Sequence, residues 1–142
     1  MSNKQVVKAW AEGKIGKSNR MLSDGKTLYS YALPIGVTLE DGRKAVIRYQ
    51  ASRMYSMTTS KHVGIAMREA DVIVDPPARG NIWGPVAAAT WARLAIDKGW
   101  TLGLFEERWK DEKRIANGVG LELTYSNVLG ACYRLKDGAN EL

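Results

Sequence analysis

The spacing of apolar residues changes along the chain, and each spacing predicts a type of element. Residues 3–12 carry apolar side chains at helical spacing, which predicts a short N-terminal helix. Residues 27–35 and 43–50 alternate between apolar and polar positions, the period of a β-strand with two unlike faces. Residues 59–70 return to the helical period. The first half of the chain is therefore predicted to be a helix, several strands and a second helix.

Turn signals separate the strand-like runs. Asp24-Gly25 and Asp41-Gly42 each stand between apolar or β-branched runs, and Asp-Gly is a strong hairpin signal. For Asp41-Gly42 we predict a type I′ turn, whose two central residues both need a positive φ. The stretch from Asn19 to His62 is thus predicted to form an antiparallel meander of three to four strands.

The last strand of this meander predicts the character of its two faces. Along residues 43–50, alternation places Ala45, Ile47 and Tyr49 on one face and Lys44 and Arg48 on the other. We therefore expect an apolar face covered by helices and an open face that is polar and basic. Gly13 to Ser18, which precedes the sheet, is expected to be a flexible basic linker.

The second half is predicted to be mainly helical. Pro85 and Gly99 have the positions expected of the first residue of a helix and of the residue just past its end. A further helix should follow up to Gly118, which makes an αα-hairpin. Residues 121–136 are ambiguous between a strand at 121–125 and a helix at 126–135. The predicted fold is α+β in a single domain, 1–142. It consists of an N-terminal helix, the meander plus helix (19–70) and a helical half (71–142) packed on one sheet face.

Charge is distributed unevenly over the 142 residues. Residues 1–70 contain 12 basic and 5 acidic residues, whereas residues 71–142 contain 9 and 10, so nearly all of the net charge of +6 lies in the first half. Such asymmetry favours an anionic partner on the sheet side. The sequence shows no apolar signal segment, no membrane span and a single cysteine, which favours a cytoplasmic location without membrane association.

Nucleic acid is the anionic partner that these residues favour. Lysine and arginine contact phosphates, and exposed aromatic rings stack on bases. The candidate phosphate-binding residues are Arg20, Lys26, Arg43, Lys44, Arg48, Arg53 and Lys61. The candidate stacking residues are Tyr29, Tyr31, Tyr49 and Tyr55.

Motifs for catalysis, metal binding or cofactor binding are weak. His62 is the single histidine and is expected to be a polar residue in the first turn of a helix, while Cys132 lies in an apolar run and is expected to be buried. One histidine and one cysteine cannot supply a zinc site. Residues 13–18 lack the strand and helix that flank a phosphate-binding P-loop. Residues 72–77, Val-Ile-Val-Asp-Pro-Pro, are similar to the active-site turn of nucleic-acid methyltransferases, but no glycine-rich cofactor loop accompanies them, so a two-proline loop after a short strand is expected.

A resemblance covers residues 19–62. The residues that carry it are Asn19, Ser23-Asp24-Gly25, Leu28-Tyr29-Ser30-Tyr31, Ile35 and Tyr55-Ser56-Met57-Thr58-Thr59-Ser60-Lys61-His62. This pattern resembles a small domain of unknown function found in bacteriophage-encoded proteins. The resemblance implies a phage origin and action in a bacterial cytoplasm, and it implies no activity.

Three hypotheses of function follow from the sequence. The first is a non-enzymatic phage accessory protein that binds nucleic acid through the basic sheet face. The alternative is an anti-defence inhibitor that binds and blocks a host nuclease or another defence protein, because five tryptophans offer anchors for an interface. The third and weakest is an enzyme that acts on nucleotides. The sequence predicts no catalytic residue, no metal, no cofactor and no particular oligomeric state.

Overall fold

The computed structural model describes residues 1–49, 56–126 and 130–136. These residues form four helices and nine strands, and the predicted α+β class is confirmed. The helices are α1 (Asn3–Ala11), α2 (Met57–Met67), α3 (Pro85–Lys98) and α4 (Phe105–Gly118). The strands are β1 (Ile15–Lys17), β2 (Met21–Asp24), β3 (Leu28–Ser30), β4 (Leu33–Thr38), β5 (Lys44–Ile47), β6 (Val72–Val74), β7 (Asn81–Ile82), β8 (Leu121–Ser126) and β9 (Gly130–Leu135).

The main sheet has six strands in sequence order, from β1 to β6. Neighbours from β1 to β5 are antiparallel, so the predicted meander is confirmed and is longer than expected. β6 joins parallel to β5, after the chain has passed through α2. β1 occupies residues that were predicted to be a flexible linker. Because the linker prediction rested on glycine and lysine content alone, it missed the pairing of Gly16 with Ser23.

A second, smaller sheet lies in the other half of the chain. β8 and β9 form an antiparallel hairpin, and β7 pairs parallel to β9. The predicted helices of this half are present as α3 and α4. Residues 121–126 and 130–135 are strand, so the predicted strand at 121–125 is confirmed and the helical alternative is wrong for the described residues 126 and 130–135.

Two local predictions in the meander are wrong in detail. Residues 27–35 are not one strand, because a turn at Tyr31 and Ala32 divides them into β3 and β4. The turn before β5 is not type I′. Gly42 has the expected positive φ of 89°, but Asp41 does not share it, and the N–H of Gly42 bonds to the Leu39 carbonyl. These features define a type I turn followed by a left-handed glycine.

Helices cover both faces of the main sheet. α1 packs against β1 and β2 and contacts α2, which contacts β5, whereas α3 packs against β4, β5 and β6. A Cβ added to Gly36 of β4 would lie 2.8 Å from the Trp10 ring, so this position faces α1. Its neighbour Val37 therefore faces the α3 side, since successive strand residues point to opposite faces.

Along β5, the face that was predicted to be open and basic is covered, because α1 and α2 pack on this side of the sheet. All residues of β5, Lys44–Ile47, are buried. The Lys44 ammonium group donates to Thr38 Oγ1 at 2.7 Å and lies 5.5 Å from the Trp10 ring of α1. Burial lowers the pKa of Lys44, and the nearby charge of Asp71 opposes this shift. Alternation in the sequence did not indicate what packs on either face of β5.

Candidate functional site

The predicted phosphate-binding residues do not form one surface. Arg20, Lys26, Arg43 and Lys61 are exposed. Lys44 is buried, as described above. Two members remain. Arg48 is half-buried, with its Nη2 2.8 Å from Asp75 Oδ1, and Arg53 lies outside the described residues.

The predicted stacking tyrosines also separate. Tyr49 is buried and Tyr29 is half-buried, whereas Tyr31 is 56% exposed. Tyr55 lies outside the described residues. Among the three candidate stacking tyrosines that the structure describes, Tyr31 is thus the one whose ring is open to a partner.

Five exposed cations belong to the N-terminal part of the fold, at and beside the edge strand of the main sheet. They come from α1, from the edge strand β1 and from the segments that flank β2, and we call this surface the basic edge. Its members are Lys4, Lys8, Lys17, Arg20 and Lys26. Within the described part of the chain, none of them forms an ion pair.

The acidic residues of this region interact with groups other than the five cations of the basic edge. Residues 1–38 contain six basic residues and only Glu12 and Asp24 as acidic ones. Glu12 pairs with Lys14 at 3.4 Å, and the Asp24 carboxylate accepts from the backbone N–H groups of Lys26 and Thr27. The basic edge therefore keeps an uncompensated positive charge, which attracts polyanions.

A cavity of about 540 Å³ opens on the basic edge, and we call it the edge cavity. Lys17 and Arg20 line it, together with Met1, Ser2 and Asn3, the first residue of α1. Ser2 caps this helix, with its hydroxyl accepting from Gln5 N and its own N–H donating to Gln5 Oε1. Two cations and the positive end of a helix face the same space, so the edge cavity suits a phosphate group.

A chain of hydrogen bonds runs from the edge cavity into the protein. Ser18 Oγ accepts from two backbone N–H groups, so its proton goes to Asn3 Oδ1, 2.6 Å away. This orients the Asn3 amide so that Nδ2 donates to His62 Nε2 at 3.3 Å. His62 Nδ1 then carries the ring proton and donates to Ser30 Oγ at 2.6 Å.

His62 does not lie in the first turn of its helix, where the sequence predicted it to be. It is the sixth residue of α2 and is 2% exposed. Burial, assisted by the charge of Arg20, lowers the pKa of His62, so the ring is neutral at neutral pH. Because its Nδ1 donates to Ser30, the ring cannot take the serine proton through that nitrogen, as a general base would.

A second cavity, of about 230 Å³, lies at the other end of this chain. We call it the aromatic cavity because the exposed rings of Tyr31 and Trp83 line it. Its further lining includes Ser30, Leu33, Thr59 and Ile82. Cys132, which also lines it, is 4% exposed, and the prediction that this cysteine is buried is confirmed.

Tyr31 has a strained backbone. Its φ is 55°, and no other residue except glycine has a positive φ in the described part of the chain. This conformation costs a residue with a bulky side chain about 1–2 kcal/mol. It turns the Tyr31 ring toward His62, with ring centroids 6.0 Å apart. Such strain persists where the surrounding structure imposes it, and it is concentrated at functional sites.

The Asp-Pro-Pro sequence leads to a separate cluster of buried charges. Asp75 follows β6 and accepts from Arg48 Nη2, Arg108 Nη1 and the N–H of Gly103. Arg108 Nε donates to Glu112 Oε2 at 2.8 Å.

Glu112 completes this cluster, and its remaining hydrogen bonds are made to other groups of the protein. Its carboxylate also accepts from Ala78 N and from the Tyr133 hydroxyl. Burial and the Glu112 charge raise the pKa of Tyr133, so its hydroxyl keeps the proton that it donates. The acceptors are saturated by the protein itself, so we assign the cluster a structural role, joining α4 to the loop that follows β6.

The sequence singled out Tyr31 and His62 but gave no indication that Asn3, Ser18 and Ser30 connect the two cavities through the His62 ring. Ser30, Tyr31, Thr59 and His62 lie within the motifs that carry the phage-domain resemblance, and that pattern was the available signal. Asn3 lies outside those motifs, 59 positions from His62, and nothing in its sequence context marks it.

Comparison of the chain with protein-family models, with curated proteins and with solved structures finds no match. Within residues 1–49, 56–126 and 130–136, each helix is too short or too polar to cross a membrane. Over the same ranges, no three histidine, cysteine, aspartate or glutamate side chains come together as metal ligands.

Proposed function

We propose that this protein binds nucleic acid through the basic edge, without acting on it chemically. The observation that carries the proposal is the set of five exposed cations, two of which line the edge cavity and none of which pairs with a carboxylate among the described residues. Phosphate contacts of this kind supply most of the affinity of non-specific nucleic-acid binding. The proposal keeps the partner expected from the sequence but moves the surface from the sheet face to the sheet border.

The setting that we propose is the cytoplasm of a bacterium, with a phage as the source of the gene. This part rests on the resemblance of residues 19–62 to phage-encoded domains. Duplex and single strands both present phosphates, and the basic edge alone favours neither.

A second candidate is an inhibitor that binds a host defence protein. The observation that favours it is a pair of exposed leucines, Leu102 and Leu104, in the loop between α3 and α4. Exposed apolar residues close together mark sites of protein association. They lie in the half of the chain without excess positive charge, so the two candidates use different surfaces.

The nucleic-acid proposal is tested by binding of a labelled single strand over a salt series. Affinity should fall steeply between about 50 and 200 mM salt, because each phosphate contact releases a counterion. The double variant Lys17→Gln/Arg20→Gln should bind about tenfold more weakly, with a salt slope smaller by about 1–2. The change in the salt slope is the decisive result, because a structural defect alone would weaken binding without lowering the slope by the amount expected for two lost phosphate contacts.

The matched control is Lys110→Gln/Lys113→Gln, which removes the same charge from exposed positions of α4. This control should retain the affinity and the salt slope of the wild type. Equal losses in both double variants would show that net charge alone governs binding and that the basic edge has no special part. Absence of binding by the wild type at low salt would refute the proposal.

A further inference from the structure

We infer that the aromatic cavity binds one unpaired nucleobase, so that the strand on the basic edge is single-stranded. The inference rests on the proposed function and specifies that the bound nucleic acid is single-stranded. The cavity, of about 230 Å³, is smaller than the roughly 300–1,000 Å³ of clefts for drug-sized ligands. This volume suits a single flat ring system.

Two aromatic rings at the cavity provide the stacking surfaces. Tyr31 is 56% exposed and Trp83 is 45% exposed, although large aromatic residues are usually covered. Stacking on such rings is the usual means by which proteins hold single-stranded bases, and it tolerates any base because each has a π-face. Duplex DNA keeps its bases stacked inside the helix, so it would not supply this ligand.

Ser30 provides a polar contact inside the cavity. This residue is 1% exposed and lines the cavity. In the described part of the chain its hydroxyl takes part in one hydrogen bond, in which it accepts from His62 Nδ1. Its own proton is therefore available to a carbonyl oxygen or ring nitrogen of a base, and both are common at base edges.

The strain at Tyr31 is a second, independent observation. Asparagine or glycine would adopt a φ of 55° at lower cost, and neither would place an aromatic ring at the cavity. A tyrosine here costs stability, and the cost is understandable if the ring contacts a ligand. Strain of this kind is a reason to propose a function at the residue that carries it.

The two cavities are arranged for one strand. Asn3 and Ser18 line the edge cavity, Ser30 lines the aromatic cavity, and the His62 ring joins Asn3 to Ser30. One histidine side chain therefore separates a site for phosphate from a site for a base. The chain of hydrogen bonds, which begins at the edge cavity, orients the Ser30 hydroxyl in the aromatic cavity.

The test compares two strands of equal length, oligothymidylate and an abasic deoxyribose-phosphate strand, at one low salt concentration. Wild-type protein should prefer oligothymidylate about tenfold, as expected for a stacked base. Tyr31→Asn and Trp83→Ala should each lose most of this preference while binding the abasic strand as the wild type does. Tyr125→Ala removes a ring that is even more exposed, at 73%, and lies outside the aromatic cavity, so it should change neither affinity.

The outcomes separate this inference from the proposal on which it rests. Binding of both strands with equal affinity by the wild type would overturn the base site and leave phosphate binding intact. Failure to bind either strand would overturn both. Tyr31→Asn should melt at or above the wild-type temperature because asparagine tolerates the left-handed region, so loss of base preference in this variant cannot result from unfolding.

Discussion

Replacing Arg108 with alanine is expected to lower the free energy of unfolding by about 3–5 kcal/mol. Arg108 is almost fully buried and bonds to Glu112 Oε2, Asp75 Oδ2 and the carbonyl of Pro76. Its guanidinium also lies 4.7 Å from the Phe105 ring. Removing it leaves two buried carboxylates short of a cation, which is more costly than the loss of the contacts themselves.

The matched control for this change is Arg93→Ala. Arg93 pairs with Glu40 at 3.2 Å, but both side chains are mostly exposed, and such pairs contribute about 0–1 kcal/mol. Urea unfolding of the two variants and the wild type provides the comparison. A similar small loss in both variants would mean that the Asp75, Arg108 and Glu112 cluster does not hold α4 to the loop that follows β6.

Gly80→Ala is the second change with a large expected effect, about 2–5 kcal/mol of lost stability. Gly80 has a φ of 94°, which is unfavourable for alanine. An added Cβ would also lie 2.7 Å from the carbonyl oxygen of Ala131, a backbone atom of β9. The strand pair β7–β9 would have to separate to make room, which would also disturb the Ile82 and Trp83 side of the aromatic cavity.

Gly99→Ala separates the two causes. Gly99 has a φ of 70°, and a Cβ there would meet no atom within 4 Å. This variant should therefore show the conformational cost alone, about 1–2 kcal/mol. Thermal melts decide the comparison. Equal melting temperatures for the two alanine variants would show that β7 and β9 do not approach as closely as described.

Local signals in the sequence were sufficient to predict most elements of the fold. The Asp-Gly pairs marked true turns, and Pro85 and Gly99 bracket α3 as expected. These features depend on the conformational preferences of single residues, which the sequence displays directly. The turn that divides β3 from β4 was missed. Tyr31 adopts a φ there that tyrosine disfavours, and the sequence has no glycine, asparagine or aspartate at this turn to indicate it.

Features that depend on distant contacts were not predictable. Alternation predicted that Lys44 and Arg48 share an open face, but Lys44 lies against Trp10 of α1, whereas Arg48 contacts Asp75 and the carbonyl of Thr101. Asp75 and Arg108 are 33 positions apart, so neither their contact nor their burial could be inferred from local pattern. Of the five cations of the basic edge, Arg20 and Lys26 were among the predicted phosphate-binding residues, whereas Lys4, Lys8 and Lys17 were not. Which basic residues are exposed, buried or paired depends on the packing.

Chemical protection of individual lysines tests the central claim, that the basic edge contacts nucleic acid, most directly. Brief acetylation with and without saturating oligothymidylate, followed by mass spectrometry, reports the accessibility of each lysine. We expect Lys4 and Lys17 to be protected in the complex while Lys110 and Lys113, exposed on α4, react as in the free protein. Protection of Lys110 and Lys113 with full reactivity at Lys4 and Lys17 would contradict the claim.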